Sequence, residues 1–167
     1  MIKSLSILLK PKSLLTIFLS FSIMLIHGQD LPSFELNSEW IEKIESMVSD
    51  QKKTYVKKKK KLLIFSLHTG YQHWTIPHTE AVMQMIAQNS GAFEATQSRD
   101  YTVFKKQNIS KYDVIILNNT NSHVDRRDLF WDIFKKDSTL SQQQKIKKAK
   151  RLEDNLIQFV KKGKGLM

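Results

Sequence analysis

Cysteine is absent from the 167 residues, which excludes a disulfide framework, a thiolate metal site and a cysteine nucleophile. Acidic residues are missing from positions 1–28, where three lysines stand (Lys3, Lys10, Lys12). No apolar run reaches the length of an ordinary membrane span. The longest, 14–26, would make a helix of about 20 Å, against a hydrocarbon core of roughly 30 Å. Phosphate-loop and dinucleotide-binding glycine motifs are lacking, as is any Ser-His-Asp order or internal repeat. What is present is an apolar content of 41%, too high for a disordered chain, and a length that suits one domain. The net charge is +11.

A basic start, a short apolar stretch and a small residue at Gly28 form the pattern of a cleavable signal peptide. Residues 1–28 are therefore expected to be removed, which lowers the net charge to +8 because three lysines go and no acid does. An uncleaved membrane anchor is the alternative. At the other end a helix runs into Gly163, and Leu166-Met167 reads as the opening of a buried strand. The chain is accordingly expected to be the first part of a longer domain.

Between the ends, residues 37–50 read as an acidic amphipathic helix with Trp40, Ile41, Ile44, Met47 and Val48 on one stripe. Residues 51–61 hold seven lysines and read as a solvated linker, or as a contact for a polyanion or membrane surface. The run lacks arginine and interleaved aromatics, which argues against specific nucleic-acid recognition. Residues 62–67 are a continuous apolar run, the mark of a strand covered on both faces, and 112–117 reads as a third strand that again contains a buried apolar run. A shorter strand is expected at 93–96. Helices are expected from Ile76-Pro77 to Gly91, with Ala81, Val82, Met85 and Ile86 inward, and over 141–162. The order is β-α-β followed by β-α-β. It predicts a three-layer α/β fold with a parallel, flavodoxin-like sheet.

Open parallel sheets bind ligands beyond the carboxyl ends of their strands. Two polar loops qualify. The first carries His68, Thr69, Gly70, Tyr71 and His73; the second carries Asn118, Asn119, Thr120 and Asn121, with His123 and Asp125 beyond. Gly70 is expected to supply a positive φ or a close backbone approach. His68 reads as a structural histidine, and His73, just before a helix, as a candidate acid or base. The amides suit sugar hydroxyls or a carboxylate, or else close the strand end as Asx turns. The two histidines are not on one helix face, so helical zinc geometry does not apply and no metal site is assigned. No cofactor is indicated.

The segment KLLIFSLHTGYQHWTIP (61–77) resembles the opening strand, Gly-x-x-His loop and helix start of ThuA-like (trehalose-utilisation) domains. YDVIILNNT is similar to their next central strand, and LEDNLIQFVKKGKGLM to their glycine-ended helix and following strand. The resemblance covers about residues 60–167. It implies a class I glutamine-amidotransferase-like, flavodoxin-like fold and a part in carbohydrate utilisation. By position it makes Gly70, His73, Asn118 and Thr120 pocket-lining residues. The domain plan is then a signal peptide (1–28), an acidic helix with a Lys-rich linker (29–60), and the N-terminal part of a ThuA-like domain (61–167).

The expected function is an exported, periplasmic or secreted, domain that binds or processes a sugar or sugar derivative. Its ligand-binding residues are His68, Thr69, Gly70, His73, Asn118, Asn119 and Thr120, and its catalytic candidate is His73. Its partner is a carbohydrate-type small molecule, with no specific nucleic acid and a membrane touched only through the signal segment. A non-catalytic interaction module on the same scaffold is the alternative. A third reading is a basic protein that binds surfaces through Lys52–Lys61. Mass spectrometry of the exported protein is expected to find a mature N-terminus near Gln29; recovery of intact 1–28 would reject cleavage.

Overall fold

The structure is a computed structural model that describes residues 35–49, 56–122 and 127–167. Four strands, β1 (Lys60–Phe65), β2 (Phe93–Ser98), β3 (Val114–Leu117) and β4 (Gly165–Leu166), form one all-parallel sheet in the order β2-β1-β3-β4. Among the described residues five helices accompany them: α1 (Ser38–Ser49), α2 (Ile76–Ser90), α3 (Lys106–Ile109), α4 (Leu129–Lys135) and α5 (Gln142–Lys161). A 3₁₀ turn, Tyr101–Phe104, precedes α3. The predicted α/β layering and flavodoxin-like parallel sheet are present. The expected signal peptide (1–28) and residues 29–34 and 50–55 of the linker segment lie outside the described residues.

The unbroken apolar run of β1 follows from its place in the sheet. Successive side chains point to opposite faces, and each face meets a different cluster. Leu63 and Phe65 pack with Ile115 of β3, Phe104, Ile109, Phe130, Phe134 and the α5 residues Ala149, Leu152 and Phe159. Leu62 and Ile64 pack with Ala87 of α2, flanked by Met83, Phe93, Ala95, Val114 and Ile116. The three layers are therefore α2, the sheet, and the α3–α4–α5 group.

Helix α2 turns a different face inward from the one its pattern predicts. Ile76, Glu80 and Ala87 are buried and Met83 packs on the core, whereas Ile86 is 51% exposed. These inward positions share one stripe at helical spacing. Glu80 is tolerated there because Arg99, just after β2, meets its carboxylate at 2.9 Å. The helix ends at Gly91, whose φ of 70° lets its N–H reach back to the Gln88 carbonyl. Helix α1 rests on α2, with Trp40 edge-on to His78 at 5.1 Å and the Asn89 amide donating to the Val48 carbonyl.

Helix α5 starts with a capping box in which Ser141 and Gln144 satisfy each other's backbone donors, and it is followed by Gly163 at a φ of 78°. The chain then pairs with β3 through Val114↔Gly165 and Ile115↔Leu166. Strands begin slightly earlier or later than their apolar runs: β1 starts at Lys60, and β3 at Val114. Among the described residues no helix is long and apolar enough to cross a membrane.

Asp113 gathers the amino-terminal ends of three strands. Its carboxylate accepts from the backbone N–H of Lys61 at 2.9 Å and from the Lys164 ammonium at 2.6 Å, and its carbonyl accepts from the Gly165 N–H at 3.0 Å. The Lys164 bond, then the Lys61 N–H, holds this carboxyl below the ordinary value of 3.8. A depressed carboxyl stabilises the fold above its unfolded-state value and loses that contribution as pH falls through its folded-state value. Asp113→Ala is expected to cost about 1 kcal/mol near pH 7, the side chain being partly screened by solvent. Urea melts of both proteins should converge as the pH drops below 3.8; a gap that persists in acid would contradict this assignment.

Candidate functional site

Strands β1 and β3 are neighbours, but the chain leaves β1 toward one edge of the sheet and β3 toward the other. The loops after them diverge and leave a crevice, the position where flavodoxin-like sheets bind ligands. The crevice is an open cleft of about 840 Å³, within the size range of small-molecule sites. Thr69, Gly70, Tyr71 and His73 line it from the first loop, and Thr120, Asn121, Ser122 and Arg127 from the second. A recess of about 400 Å³ adjoins it through Thr120, Ser122 and Arg127 and adds an apolar flank with Glu153 and Asp128.

The two loops are bonded to each other. The Asn121 carbonyl accepts from the N–H of Thr69 at 2.8 Å and of Gly70 at 3.1 Å. Gly70 does not take a positive φ; among the described residues the positive-φ positions near the cleft are Asn119 (50°) and Arg127 (48°). The need for a tight bend falls on the second loop, where an asparagine tolerates it. The Thr69 hydroxyl donates to Asp132 Oδ2 at 2.9 Å. Asp132 is buried on α4, and its other oxygen meets the Lys135 ammonium at 2.8 Å. The carboxylate thereby fixes Thr69 against the third layer.

His73 is half-buried on the cleft wall, its ring edge-on to the exposed Tyr71 ring at 4.7 Å. Helix α2 opens three residues later, and its Ile76 N–H is bonded to the His73 carbonyl at 3.2 Å. Sequence reasoning grouped His73 with Asn118, but their environments differ. Asn118 is 3% exposed and stands outside the cleft lining. Its amide donates to the Ser66 hydroxyl at 3.0 Å and to the Ile76 carbonyl at 3.4 Å, and its oxygen accepts from the Thr79 hydroxyl at 2.7 Å. It is a bracket that joins β1, β3 and the start of α2. Asn119 donates to the same oxygen at 3.2 Å. His68 is half-buried at the end of β1 and is also outside the lining. His123 and Asp125 lie outside the described residues.

Three contributors escaped the sequence reading, Asp132, Ser122 and Arg127. A signal for the first exists: Asp128 followed by Leu129, Phe130, Ile133 and Phe134 is an N-cap before an apolar helical stripe. In the structure the Asp128 carboxylate accepts from the Trp131 N–H at 2.9 Å. No pattern singles out Arg127. Among the described residues no group of three or more His, Asp or Glu is placed to hold a metal ion.

No protein-family model matches the chain, and neither does any curated protein or solved structure.

Asn118→Ala would leave the buried Ser66 hydroxyl without its amide donor, while the Thr79 hydroxyl keeps the Thr75 and Ile76 carbonyls as acceptors. A buried polar group stranded in this way costs about 1–3 kcal/mol. Thermal melts are expected to show that loss in the absence of any ligand; an unshifted melt would return Asn118 to a ligand-binding role.

Proposed function

We propose that this chain is an exported ThuA-like domain that binds or processes a sugar or sugar derivative in the cleft between the loops after β1 and β3. The observation that carries the reading is the lining at the divergence of those loops. A hydroxyl from Thr69, Thr120 or Ser122, an imidazole from His73 and a guanidinium from Arg127 converge there on one open cleft. Neutral donors and acceptors in that density match the alternating hydroxyls of a carbohydrate. Arg127 suits an acidic substituent, since its planar fork can meet a carboxylate or phosphate with two donors. The adjoining apolar flank, which includes Leu117, Leu129 and Leu156, gives the C–H face of a sugar ring a surface to cover.

The strand order supports the family assignment as far as fold goes, since it is the flavodoxin-like order that the resemblance implies. Export rests on the basic start and short apolar run of residues 1–28. For turnover, His73 is the proton-transferring candidate on the wall, and Thr69 is a positioned hydroxyl whose own proton is committed to Asp132.

Calorimetric titration of the full chain with neutral sugars, uronic acids and sugar phosphates tests the reading. His73→Ala is expected to weaken binding about 2- to 13-fold, the value of one neutral hydrogen bond, without moving the melt. Arg127→Ala should weaken acidic sugars more than neutral ones. If no sugar of any class binds, or if the His73 variant binds each one normally, the carbohydrate reading fails.

A further inference from the structure

A second groove runs along the outer helix layer, away from the strand-end cleft. Two open cavities of about 350 and 810 Å³ share Lys106, Gln107, Arg151 and Asn155 and so form one channel between α5 and the Tyr101–Ser110 segment. The α5 wall is a single stripe, Lys148, Arg151, Asn155 and Gln158, continued by Lys162 at the helix cap, spaced three and four residues apart. Fourteen residues separate its ends, about 21 Å along the helix. Lys105 and Lys106 face it from the other wall, and Lys164 closes its foot.

Among the described residues no carboxylate lines the channel. The acids of α5 point elsewhere: Glu153 borders the strand-end recess, and Asp154 is paired with Lys150 at 3.0 Å. Lys164 is held by Asp113, whose carboxyl also feels the charge of Lys60. The foot of the channel therefore lies near the exposed Lys60 and Lys61. Lys106, Arg151 and Lys162 have no ion-pair partner among the described residues. A row of like charges at close spacing repels itself, and a bound polyanion relieves that repulsion.

The geometry points to a linear acidic polysaccharide as the occupant of this channel. Its cations are strung along about 21 Å, not converged on one point, which suits a polymer over a single phosphate. Amides alternate with the cations, Gln107, Asn155 and Gln158, and these fit the hydroxyls that lie between the acidic groups of such a glycan. Single-stranded nucleic acid fits less well, because it is held by bases stacked on open ring faces. Among the described residues the channel's rings are buried (Phe134, Phe159) or half-buried (Tyr101), so no row of open faces runs along it. Phe134 is 5% exposed, lies under the Lys148 ammonium at 5.7 Å, and meets Tyr101 edge-on at 5.3 Å.

The test uses the full chain with polygalacturonate and heparin oligosaccharides as probes, and with neutral dextran and oligo-dT as comparators. Affinity for the acidic glycans is expected to fall steeply and linearly on a log–log plot against salt, as counterion release requires. Reversing Lys106, Arg151 and Lys162 to Glu together should cost about tenfold or more in affinity with an unchanged melt. The same variant should bind small sugars in the strand-end cleft as before, and His73→Ala should leave glycan binding intact, so each site fails separately. If the triple variant fails to fold, the single change Arg151→Glu is read in its place and should still lower affinity. Unchanged affinity in the folded variant, equal binding of dextran, or tighter binding of oligo-dT than of either acidic glycan would overturn the assignment.

Discussion

Parallel pairing of β1 with β3 is the constraint on which the rest depends. The register Leu62↔Val114 to Phe65↔Leu117 places the ends of both strands on one rim. Because the flanking strands lie on opposite sides, the two exits must part, and the cleft is the space between them. Antiparallel pairing would have sent Thr69 and Asn121 to opposite ends of the sheet. Burial of β1 on both faces enforces the choice: its four apolar residues Leu62–Phe65 are at most 5% exposed, so helices must cover each side.

Polar chemistry then secures what the apolar core only places. Asn118 ties the two central strands to the first turn of α2, Asn121 ties loop to loop, and Asp132 ties the first loop to α4. Each of these groups would be costly to leave unpaired, so they specify one arrangement of the rim. Asp113 does the corresponding work at the opposite end, where Lys61, Lys164 and Gly165 meet it. The sheet is thus clasped at both ends by side chains with no counterpart in its interior.

Much of this was readable from the chain. Apolar runs without alternation located β1 and β3, and Gly91 and Gly163 marked helix ends that the structure puts at φ values of 70° and 78°. The polar loops were legible because polar residues directly after a buried strand have few other places to go. Three features were not. The inward face of α2 was misjudged because Glu80 reads as an exposed residue, and its partner Arg99 is nineteen positions away. The split between His73 and Asn118 depends on tertiary contact, since an asparagine that lines a cleft and one that braces a core look alike in sequence. Asp132 was missed for a similar reason: it sits in a seven-residue helix whose function is fixed by Thr69, 63 positions earlier.

The two apolar clusters on either side of the sheet are unequal. Among the described residues the α5 side holds ten buried residues, the α2 side three. Opening free energies within one molecule follow buried contact, so the α2 layer is expected to open more readily than the α5 layer. Its amides should exchange with solvent through partial openings that leave the α5 layer closed. The wall of the strand-end cleft that carries His73 leads straight into that looser layer. Any ligand gripped there must first quiet the motion of its own binding wall, and part of the contact energy goes into that ordering. The occupied protein would then be stiffer than the empty one, with the stiffening felt along α2 and as far as the Trp40–His78 contact with α1.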